Sequence, residues 1–332
     1  MSAPSPSMYS EAALKVIARL GLRKGRTNLE VFAETLLELA TADPNLLVVT
    51  SDSRGSGKLV PFGQALPEQI IEVGIAEQNL VGITAGLALS GKKVFGVSPA
   101  CFLTARSLEQ IKNDICYSNA PAVVVGISAG VSYGALGSTH HSLHDFAALR
   151  AINNITVIAP ADNCETRAAV RLAAQAERPV YLRFGKAAMY DLYDDDPSIA
   201  DGSACLLRDG TDIAFLATGE TVVHALLAAT KLEEAGISAR VLSMHTVKPL
   251  DEDAVVAAGE ECTAVITVEE HMINGGLGEA VAGVLLEQKL SPAFHRIGIP
   301  DEDTVTGAQA DIFRHYGISM EGLESAAHAL LD

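Results

Sequence analysis

The sequence has 332 residues, of which 48% are hydrophobic, and it is long enough for two domains of ordinary size with real cores. With 41 acidic and 24 basic residues, its net charge of −17 argues against nucleic acid and anionic membranes as partners. The five cysteines form no Cys-x-x-Cys pair, the first residues lack the features of a signal peptide, and no apolar run approaches the roughly 18 residues of a membrane span. These features predict a cytoplasmic protein with reduced cysteines.

The chain alternates between short β-branched runs and longer helical patterns. Two capping patterns, at residues 27–30 and 162–165, each predict the start of a helix. Alternation of this kind favours a mostly parallel sheet covered by helices. In the first half of the chain the predicted strands span residues 46–50, 69–73, 93–97, 122–127, 156–158 and 180–183.

An acidic segment at residues 190–197, which includes a proline, interrupts this pattern. It predicts a linker over residues 188–208, and a long surface loop within one domain is the alternative. After it the alternation resumes, with strands predicted at 213–217, 240–243, 264–268 and 296–299 and helices at 221–235, 279–286 and 320–331. The prediction is an α/β protein with an N-terminal extension (1–26) and two domains (27–187 and 209–332), each a mostly parallel sheet flanked by helices.

Two glycine-containing stretches resemble nucleotide-binding motifs but lack their spacing. Residues 55–58, Gly-Ser-Gly-Lys, have Asp52 where a phosphate-binding loop needs its first glycine and Leu59 where it needs Ser or Thr. Residues 275–278, Gly-Gly-Leu-Gly, lack the full dinucleotide-binding spacing. Close packing at the start of a helix is therefore the favoured interpretation of the second stretch.

Residues 137–145, Gly-Ser-Thr-His-His-Ser-Leu-His-Asp, contain three of the chain's nine histidines. The stretch could be a metal site, a proton relay or a polar turn. Adjacent His140 and His141 would diverge in an extended segment, and no cysteine or glutamate cluster completes a ligand set. A metal site in this chain is therefore not expected, and the residues alone leave the other two interpretations open.

A predicted strand, a glycine and a helix start place one carboxylate in a distinctive position. Ile70 and Ile71 end a buried strand, Gly74 permits a sharp turn, and Glu77 falls in the first turn of a helix predicted at 77–89. An acid there has a simple explanation, because the exposed N–H groups and the dipole of a helix N-terminus favour negative charge. Position alone therefore does not identify Glu77 as catalytic.

Longer stretches around Glu77 resemble a known enzyme family. The run VGIAEQNLVGITAGLALSGKKVF resembles the pyrimidine-binding domain of the transketolase family, and so do ACFLTARSLEQIKND, GISAGVSYGALGSTHHSLHD, ITVIAPADNCETRAAV and PVYLRFGK. The later TVKPLD and EEHMINGGLGEAV resemble the family's C-terminal domain. The chain contains no Gly-Asp-Gly, the mark of the family's diphosphate- and metal-binding domain. It is identified by this resemblance as the C-terminal subunit of a split transketolase.

The resemblance implies that the chain helps to bind thiamine diphosphate, a cofactor that stabilises negative charge at a former carbonyl carbon. Glu77 corresponds to the carboxylate that hydrogen-bonds the cofactor's pyrimidine ring, and Phe102 to the aromatic ring that stacks on it. Ile75 corresponds to a neighbouring wall residue, and Asp52 to an acid near the cofactor at the subunit junction, although a loop cap would explain Asp52 equally well. His140 corresponds to a histidine that contacts the donor's oxygen atoms near the reacting carbon.

The same resemblance assigns Ser56, Ser128 and Arg183 to positions that bind the substrate phosphate, with Arg54 as an additional cation. Ser128 stands where the family has a histidine, and Leu136 where it has an aspartate near the active histidine. We therefore expect a sugar phosphate or a related anionic sugar as substrate, for which a branched sugar phosphate and a sulfonated sugar are both candidates.

The resemblance also implies a partner, an N-terminal transketolase subunit that holds the diphosphate through Mg²⁺ or Ca²⁺. Two copies of each chain, an α2β2 heterotetramer, are expected because two-fold symmetric pairing is common. The implied reaction is the transfer of a two-carbon ketol unit between sugars. Two alternatives are the β subunit of a 2-oxoacid dehydrogenase E1 component, which shares this architecture, and a non-catalytic α/β scaffold.

Overall fold

The computed structural model describes residues 7–332 and shows two α/β units. The strands of the first unit are β1 (Lys24–Thr27), β2 (Leu46–Thr50), β3 (Ile70–Glu72), β4 (Lys93–Pro99), β5 (Ala122–Ile127), β6 (Thr156–Ile158), β7 (Val180–Arg183) and β8 (Ala188–Tyr190). Its helices are α1 (Glu11–Leu20), α2 (Asn28–Ala42), α3 (Val60–Ala65), α4 (Glu77–Leu89), α5 (Ala100–Arg106), α6 (Leu108–Gln110), α7 (Asp145–Arg150) and α8 (Asn163–Gln175). A π-helix spans Ile111–Tyr117, and 3-10 turns span Pro67–Gln69 and Gly134–Thr139.

The second unit follows the same pattern of alternating elements. Its strands are β9 (Cys205–Arg208), β10 (Ile213–Ala217), β11 (Ala239–Ser243), β12 (Thr246–Lys248), β13 (Ala264–Met272) and β14 (Ala293–Ile299). Its helices are α9 (Val222–Glu233), α10 (Glu252–Glu261), α11 (Leu277–Glu287), α12 (Gln309–His315) and α13 (Met320–Leu331), with a 3-10 turn at Gly219–Thr221.

Each unit is built on one largely parallel sheet. The first has seven strands in the order β12-β6-β7-β5-β4-β2-β3, and β12, which comes from the second half of the chain, pairs antiparallel with β6 at the edge. Every residue of the central strand β5 is buried, as expected for a parallel strand with helices on both faces. The second sheet has the order β14-β13-β10-β11-β9, with β9 antiparallel to β11 and the other pairs parallel. The predicted fold class is confirmed.

The capping patterns in the sequence start the helices that they predict. The Thr27 hydroxyl accepts a hydrogen bond from the Glu30 N–H while the Glu30 carboxylate accepts one from the Thr27 N–H, which completes a capping box for α2. Asp162 accepts from the Glu165 N–H at the start of α8. By contrast, α4 begins at Glu77 without a side-chain cap.

The ten predicted strands are all present, and four of them, β4, β11, β13 and β14, are longer than predicted. β13 continues to Met272, through Glu269, Glu270 and His271, and all three of these side chains are buried. Their polarity hides the end of the strand in the sequence, since buried strands in such sheets normally read as apolar runs. No helix within residues 7–332 combines the length and the apolar composition needed to cross a bilayer.

Regular elements also lie in the segments predicted as extension and linker. Helix α1 packs Val16 and Ile17 into the core of the second unit, where Tyr9 stacks on His224 with ring centroids 5.2 Å apart. The segment 188–208 begins with β8, which pairs with β1, and ends with β9 at the edge of the second sheet. Both strands are short and lie at sheet edges with partly exposed side chains, so neither reads as a buried apolar run in the sequence.

Candidate functional site

Most of the predicted site residues directly follow parallel strands at the carboxyl edge of the seven-stranded sheet. Asp52 follows β2, Ile75 and Glu77 follow β3, Phe102 lies in α5 after β4, and Ser128 follows β5. In open α/β sheets this is the edge at which ligands bind. Asp52 and Ser128 have left-handed backbone conformations, with φ of 54° and 55°, which are uncommon outside glycine and concentrate at functional sites.

Glu77 lies at this edge with its side chain only 6% exposed. Its Oε1 accepts a hydrogen bond from Arg106 Nη1 at 2.9 Å. Arg106 ends α5, is half exposed, and places its guanidinium over the Phe102 ring, 4.2 Å from the ring centroid. These three side chains form one compact group, although nothing in the sequence alone singles out Arg106.

His140 connects Phe102 to a second aromatic ring. The ring centroids of Phe102 and His140 are 5.3 Å apart, and those of His140 and Tyr133 are 5.5 Å apart. His140 Nδ1 contacts the Thr139 hydroxyl at 3.0 Å, while its Nε2 has no hydrogen-bond partner among the described residues. The imidazole is therefore held between two rings and presents one free nitrogen, which suits a group that contacts substrate oxygen atoms.

Lys186 lies beyond Tyr133 and adds a cation. Its Nζ lies over the Tyr133 ring, 4.5 Å from the centroid. Burial and the nearby charge of Lys58 lower the pKa of Lys186, which forms no salt bridge within residues 7–332. Ser128 lies beside Tyr133, and its buried hydroxyl has no hydrogen-bond partner in the described part of the chain. A cation and an unsatisfied hydroxyl are suitable partners for an anion.

We call the six side chains that follow one another in this way the site row. They are Glu77, Arg106, Phe102, His140, Tyr133 and Lys186.

Arg183, in contrast, lies inside the protein, and this contradicts its predicted contact with a substrate phosphate. Its side chain is 5% exposed, and its Nε donates to Asp145 Oδ2 at 2.8 Å. Its Nη2 donates to the carbonyl oxygens of Glu270 at 2.8 Å and Ser142 at 3.3 Å. The guanidinium also stacks on Phe146, 4.5 Å from the ring centroid. These contacts join β7 of the first unit to β13 of the second.

Glu72, at the end of β3, organises the loops that carry Asp52 and Ile75. Its Oε1 accepts hydrogen bonds from the N–H groups of Asp52 at 2.6 Å and Gly74 at 3.0 Å, and its Oε2 accepts one from the Thr50 hydroxyl at 2.8 Å. Burial raises the pKa of Glu72, but these hydrogen bonds outweigh that effect and its pKa lies below the usual value. Asp52 is itself exposed, and Ile75 is 74% exposed. The backbone of both loops is fixed while the two side chains stay accessible.

The turn that carries Ser56 lies near the Lys186 end of the site row. Ser56 is exposed in this turn, which connects β2 to α3. Lys58 of the same turn is close enough to Lys186 to lower its pKa. The turn therefore adds exposed polar groups beside the free cation.

The other two histidines of the cluster connect the histidine loop to its surroundings. His141 is buried, donates from Nε2 to the Gly134 carbonyl at 2.9 Å, and accepts at Nδ1 from the Thr304 hydroxyl at 2.6 Å. Burial lowers its pKa, so the neutral form is favoured. The Nε2 of His144 contacts the Thr104 hydroxyl of α5 at 3.2 Å. His141 thus joins the loop to the second unit, and His144 joins it to the helix that carries Phe102.

Buried polar residues of β13 hold the two units together. The Glu269 carboxylate accepts hydrogen bonds from the first two N–H groups of α11, both at 2.8 Å. A Cβ at Gly276 would lie 1.9 Å from that carboxylate, which confirms the packing interpretation of the glycine run. His271 stacks on Phe146 of the first unit, with ring centroids 5.0 Å apart.

Two buried carboxyl groups of the second unit lie beneath the loops of the site row. The Gln309 amide donates to Glu270 Oε1 at 2.9 Å and to Glu220 Oε2 at 3.1 Å. Burial and the charge of Glu270 raise the pKa of Glu220 to about 8, and burial raises that of Glu270 to about 7. A Cβ at Gly185 would lie 2.2 Å from Glu220. The backbone next to Lys186 therefore rests directly on this pair.

The residues present fit the pyrimidine half of a thiamine cofactor. Glu77 supplies a buried carboxylate beside the aromatic face of Phe102, which is what a planar heterocycle with a hydrogen-bonding edge requires. Within residues 7–332 one cluster of potential metal ligands occurs, formed by Asp162, Cys164 and Asp191. Both carboxylate oxygens of Asp162 already accept backbone N–H groups, so this cluster is accounted for by the cap of α8 and its neighbouring loop.

Comparisons with known proteins identify the family of the chain. The family described as "Transketolase, pyrimidine binding domain" matches residues 24–190, and "Transketolase, C-terminal domain" matches residues 202–323. One subunit of the apulose-4-phosphate transketolase from Phocaeicola vulgatus is 50% identical, over 88% of this chain and 93% of its own length. The protein of the same name from Actinobacillus succinogenes is 36% identical over 90% of this chain and 97% of its own. A solved structure, the inactive β4 tetramer of a split-gene transketolase, is 34% identical with a TM-score of 0.84, covering 92% of this chain and 99% of that one. The chain therefore belongs to the transketolase family, of which it contains the pyrimidine-binding and C-terminal domains.

Proposed function

We propose that the chain is one subunit of a two-chain, thiamine diphosphate-dependent transketolase that transfers a two-carbon ketol unit between anionic sugars. The observation that carries the proposal is the continuous site row at the carboxyl edge of the first sheet. Glu77 and Phe102 lie at one end, His140 in the middle and Lys186 at the other end. Groups for the cofactor, the reacting carbon and the anionic tail thus follow one another in the order that a bound cofactor and sugar require.

Glu77 and Phe102 hold the cofactor's pyrimidine ring in this proposal. Thiamine diphosphate, when bound, supplies the stabilisation of negative charge on the carbon of the transferred unit. Glu77 hydrogen-bonds the ring and exchanges a proton with it, and its low exposure keeps water away from that hydrogen bond. Phe102 stacks on the face of the ring, and Ile75 adds an apolar wall beside it.

His140 and Lys186 act on the sugar. The free Nε2 of His140 donates to, or accepts from, the oxygen atoms beside the reacting carbon. Lys186, and not Arg183, contacts the anionic tail of the sugar, since Lys186 is an exposed cation at the site and Arg183 is buried. Ser128, with its unsatisfied hydroxyl, and Ser56, in the neighbouring exposed turn, complete the contacts with the anionic tail.

A separate N-terminal transketolase subunit holds the diphosphate and its Mg²⁺ or Ca²⁺ in this proposal. Two relatives are named as single subunits of a transketolase, and the related β4 tetramer is described as inactive, which fits chains that need a partner. Asp52 and Ile75 are accessible on this side and would face that subunit. We propose two copies of each chain. A cytoplasmic location fits the five cysteines, all of which are free.

A sugar phosphate is the favoured donor, and apulose 4-phosphate is the first compound to test because two relatives carry its name. Leu136 is 54% exposed in the histidine loop and adds an apolar surface where the family has an aspartate. The site is therefore expected to prefer a sugar that makes no polar contact at that position.

The test is reconstitution. The chain is purified alone and together with its diphosphate-binding subunit, and ketol transfer is assayed with thiamine diphosphate, Mg²⁺ and apulose 4-phosphate or an ordinary ketose phosphate as donor. Activity is expected only in the two-chain sample. Full turnover by the isolated chain would refute the two-subunit proposal, and a folded two-chain complex without ketol transfer from any donor would refute the reaction.

A further inference from the structure

We infer that Arg106 competes with the cofactor's pyrimidine ring for the same position. While the cofactor is absent, the Arg106 guanidinium makes the contacts with Glu77 and Phe102 that the ring makes when it binds. The inference rests on the proposed function and concerns how the cofactor gains access to its site. Arg106 is the one residue of the site row that contacts both of the residues proposed to bind the cofactor's pyrimidine ring, Glu77 and Phe102.

The geometry shows that Arg106 uses the two contacts that the ring needs. Its Nη1 donates to Glu77 Oε1 at 2.9 Å, and its guanidinium carbon lies 4.2 Å from the Phe102 centroid. Phe102 also packs against His140, with an angle of 73° between the rings and 5.3 Å between their centroids. One face of Phe102 is therefore covered by Arg106, and His140 packs against the same ring.

The chemistry of the two groups explains why one can replace the other. A guanidinium is planar, carries N–H donors in its plane, and stacks on aromatic rings. An aminopyrimidine ring is also planar, and when its ring nitrogen is protonated it donates an N–H to a carboxylate in the same way. The carboxylate oxygen and the aromatic face cannot serve both groups at once, so the ring displaces the guanidinium when it binds.

Arg106 can leave without a change in the fold. It is the last residue of α5, and its side chain is 50% exposed. Arg106 makes an ion pair, in which its own side chain is the solvent-accessible member, and a cation–π contact. Each contact shifts an equilibrium by only about five-fold or less. While it stays, it pairs the carboxylate of Glu77, which would otherwise be a buried charge without a partner.

The inference predicts that removal of the guanidinium tightens cofactor binding. Arg106→Met keeps the length of the side chain and loses both contacts, and the combined strength of those contacts corresponds to about 5–30-fold tighter binding of thiamine diphosphate. Lys112→Met is the matched control, because Lys112 is an exposed cation of the adjoining π-helix and its loss changes the net charge equally. Binding to the control is expected to stay within about two-fold of the wild type.

The experiment is a calorimetric titration of thiamine diphosphate into the complex of this chain with its diphosphate-binding subunit, with a thermal melt of each variant to verify its fold. A Glu77→Gln background provides a second readout, since without the ion pair Arg106→Met should gain clearly less affinity. Unchanged or weaker binding to Arg106→Met overturns the inference and leaves the proposed function standing. A wild-type complex that does not bind thiamine diphosphate overturns both.

Discussion

Arg183→Met should destabilise the protein instead of weakening its hold on the substrate. The substitution keeps an unbranched side chain of similar reach and removes the partner of Asp145, whose side chain is completely buried. Burial raises the pKa of Asp145, but the charge of Arg183 and the hydrogen bonds from Arg183 and Tyr181 outweigh that effect, so its pKa lies below the usual value and the carboxylate is ionised. Without Arg183 that charge has no cationic partner at the domain interface.

Removing one member of a buried ion pair costs about 3–5 kcal/mol. Two main-chain carbonyl groups, those of Glu270 and Ser142, lose a donor at the same time, so we expect a loss at the upper end of that range. Since proteins of this kind are stable by about 5–15 kcal/mol, the variant should lose a third or more of its free energy of unfolding.

Urea unfolding of the isolated chain measures this loss, and steady-state kinetics of the two-chain enzyme measure any effect on the substrate. Lys186→Met is the matched control, because Lys186 is exposed and forms no salt bridge within residues 7–332. It should change the free energy of unfolding by less than about 0.5 kcal/mol and raise KM for anionic sugars. Asp145→Asn should restore part of the stability of Arg183→Met, since it removes the unpaired charge. If Arg183→Met had the stability of the wild type and a raised KM, this reasoning would be refuted, and Arg183 would be assigned a contact with the substrate.

Three further substitutions address the chemistry of the site and its support. Glu77→Gln should leave the fold intact and cost only about 0.5–1 kcal/mol of charge–dipole stabilisation. It should slow hydrogen–deuterium exchange at the cofactor's C2 by roughly 10²–10⁴-fold. An exchange rate equal to that of the wild type would show that Glu77 serves only to stabilise the start of its helix. His140→Asn should lower kcat/KM by about 10²-fold or more while the affinity for thiamine diphosphate changes little. If kcat/KM and the affinity for thiamine diphosphate fell by the same factor, the proposed contact of His140 with the sugar would be contradicted. Glu220→Gln should flatten the pH dependence of stability. With its pKa raised to about 8, Glu220 costs nothing at low pH, and its own contribution makes the wild type lose stability as the pH rises from 6 towards 8, by roughly 1 kcal/mol per pH unit. Equal slopes for wild type and variant in urea unfolding at pH 6, 7 and 8 would contradict the buried, protonated state.

The fold could be predicted from the sequence because its signals are local. The apolar run of β5 and the capping residues Thr27 and Asp162 each mark an element by a pattern that spans only a few residues of the sequence. Helix α1 and strand β9 escaped prediction because they are stabilised by packing against distant parts of the chain. A short amphipathic segment does not reveal in its own sequence which core it will join.

The site was predictable in outline, since residues after parallel strands meet at one edge, but the direction of each side chain was not. Arg183 ends β7 as expected, yet its side chain turns inward because Asp145 lies buried beside it. Lys186 and Arg106 went unnoticed because an exposed cation gives no signal until its neighbours are known. His141 adjoins His140 in the sequence, and only the contact with Thr304 shows that it points towards the second unit.

The two ends of the site row depend on different parts of the protein. Glu77, Arg106 and Phe102 contact one another within the first unit. The loops that carry the sugar-facing residues rest on the second unit instead, since the Val131 N–H donates to Glu270 at 2.9 Å and the histidine loop is bound through Thr304. The second unit therefore supports the substrate end of the site without entering it. The buried acids involved are costly unless they are hydrogen-bonded, and each of them is: Glu270 accepts from Val131 of the first unit, while Glu269 and Glu220 accept from Leu277 and Gln309 within the second unit.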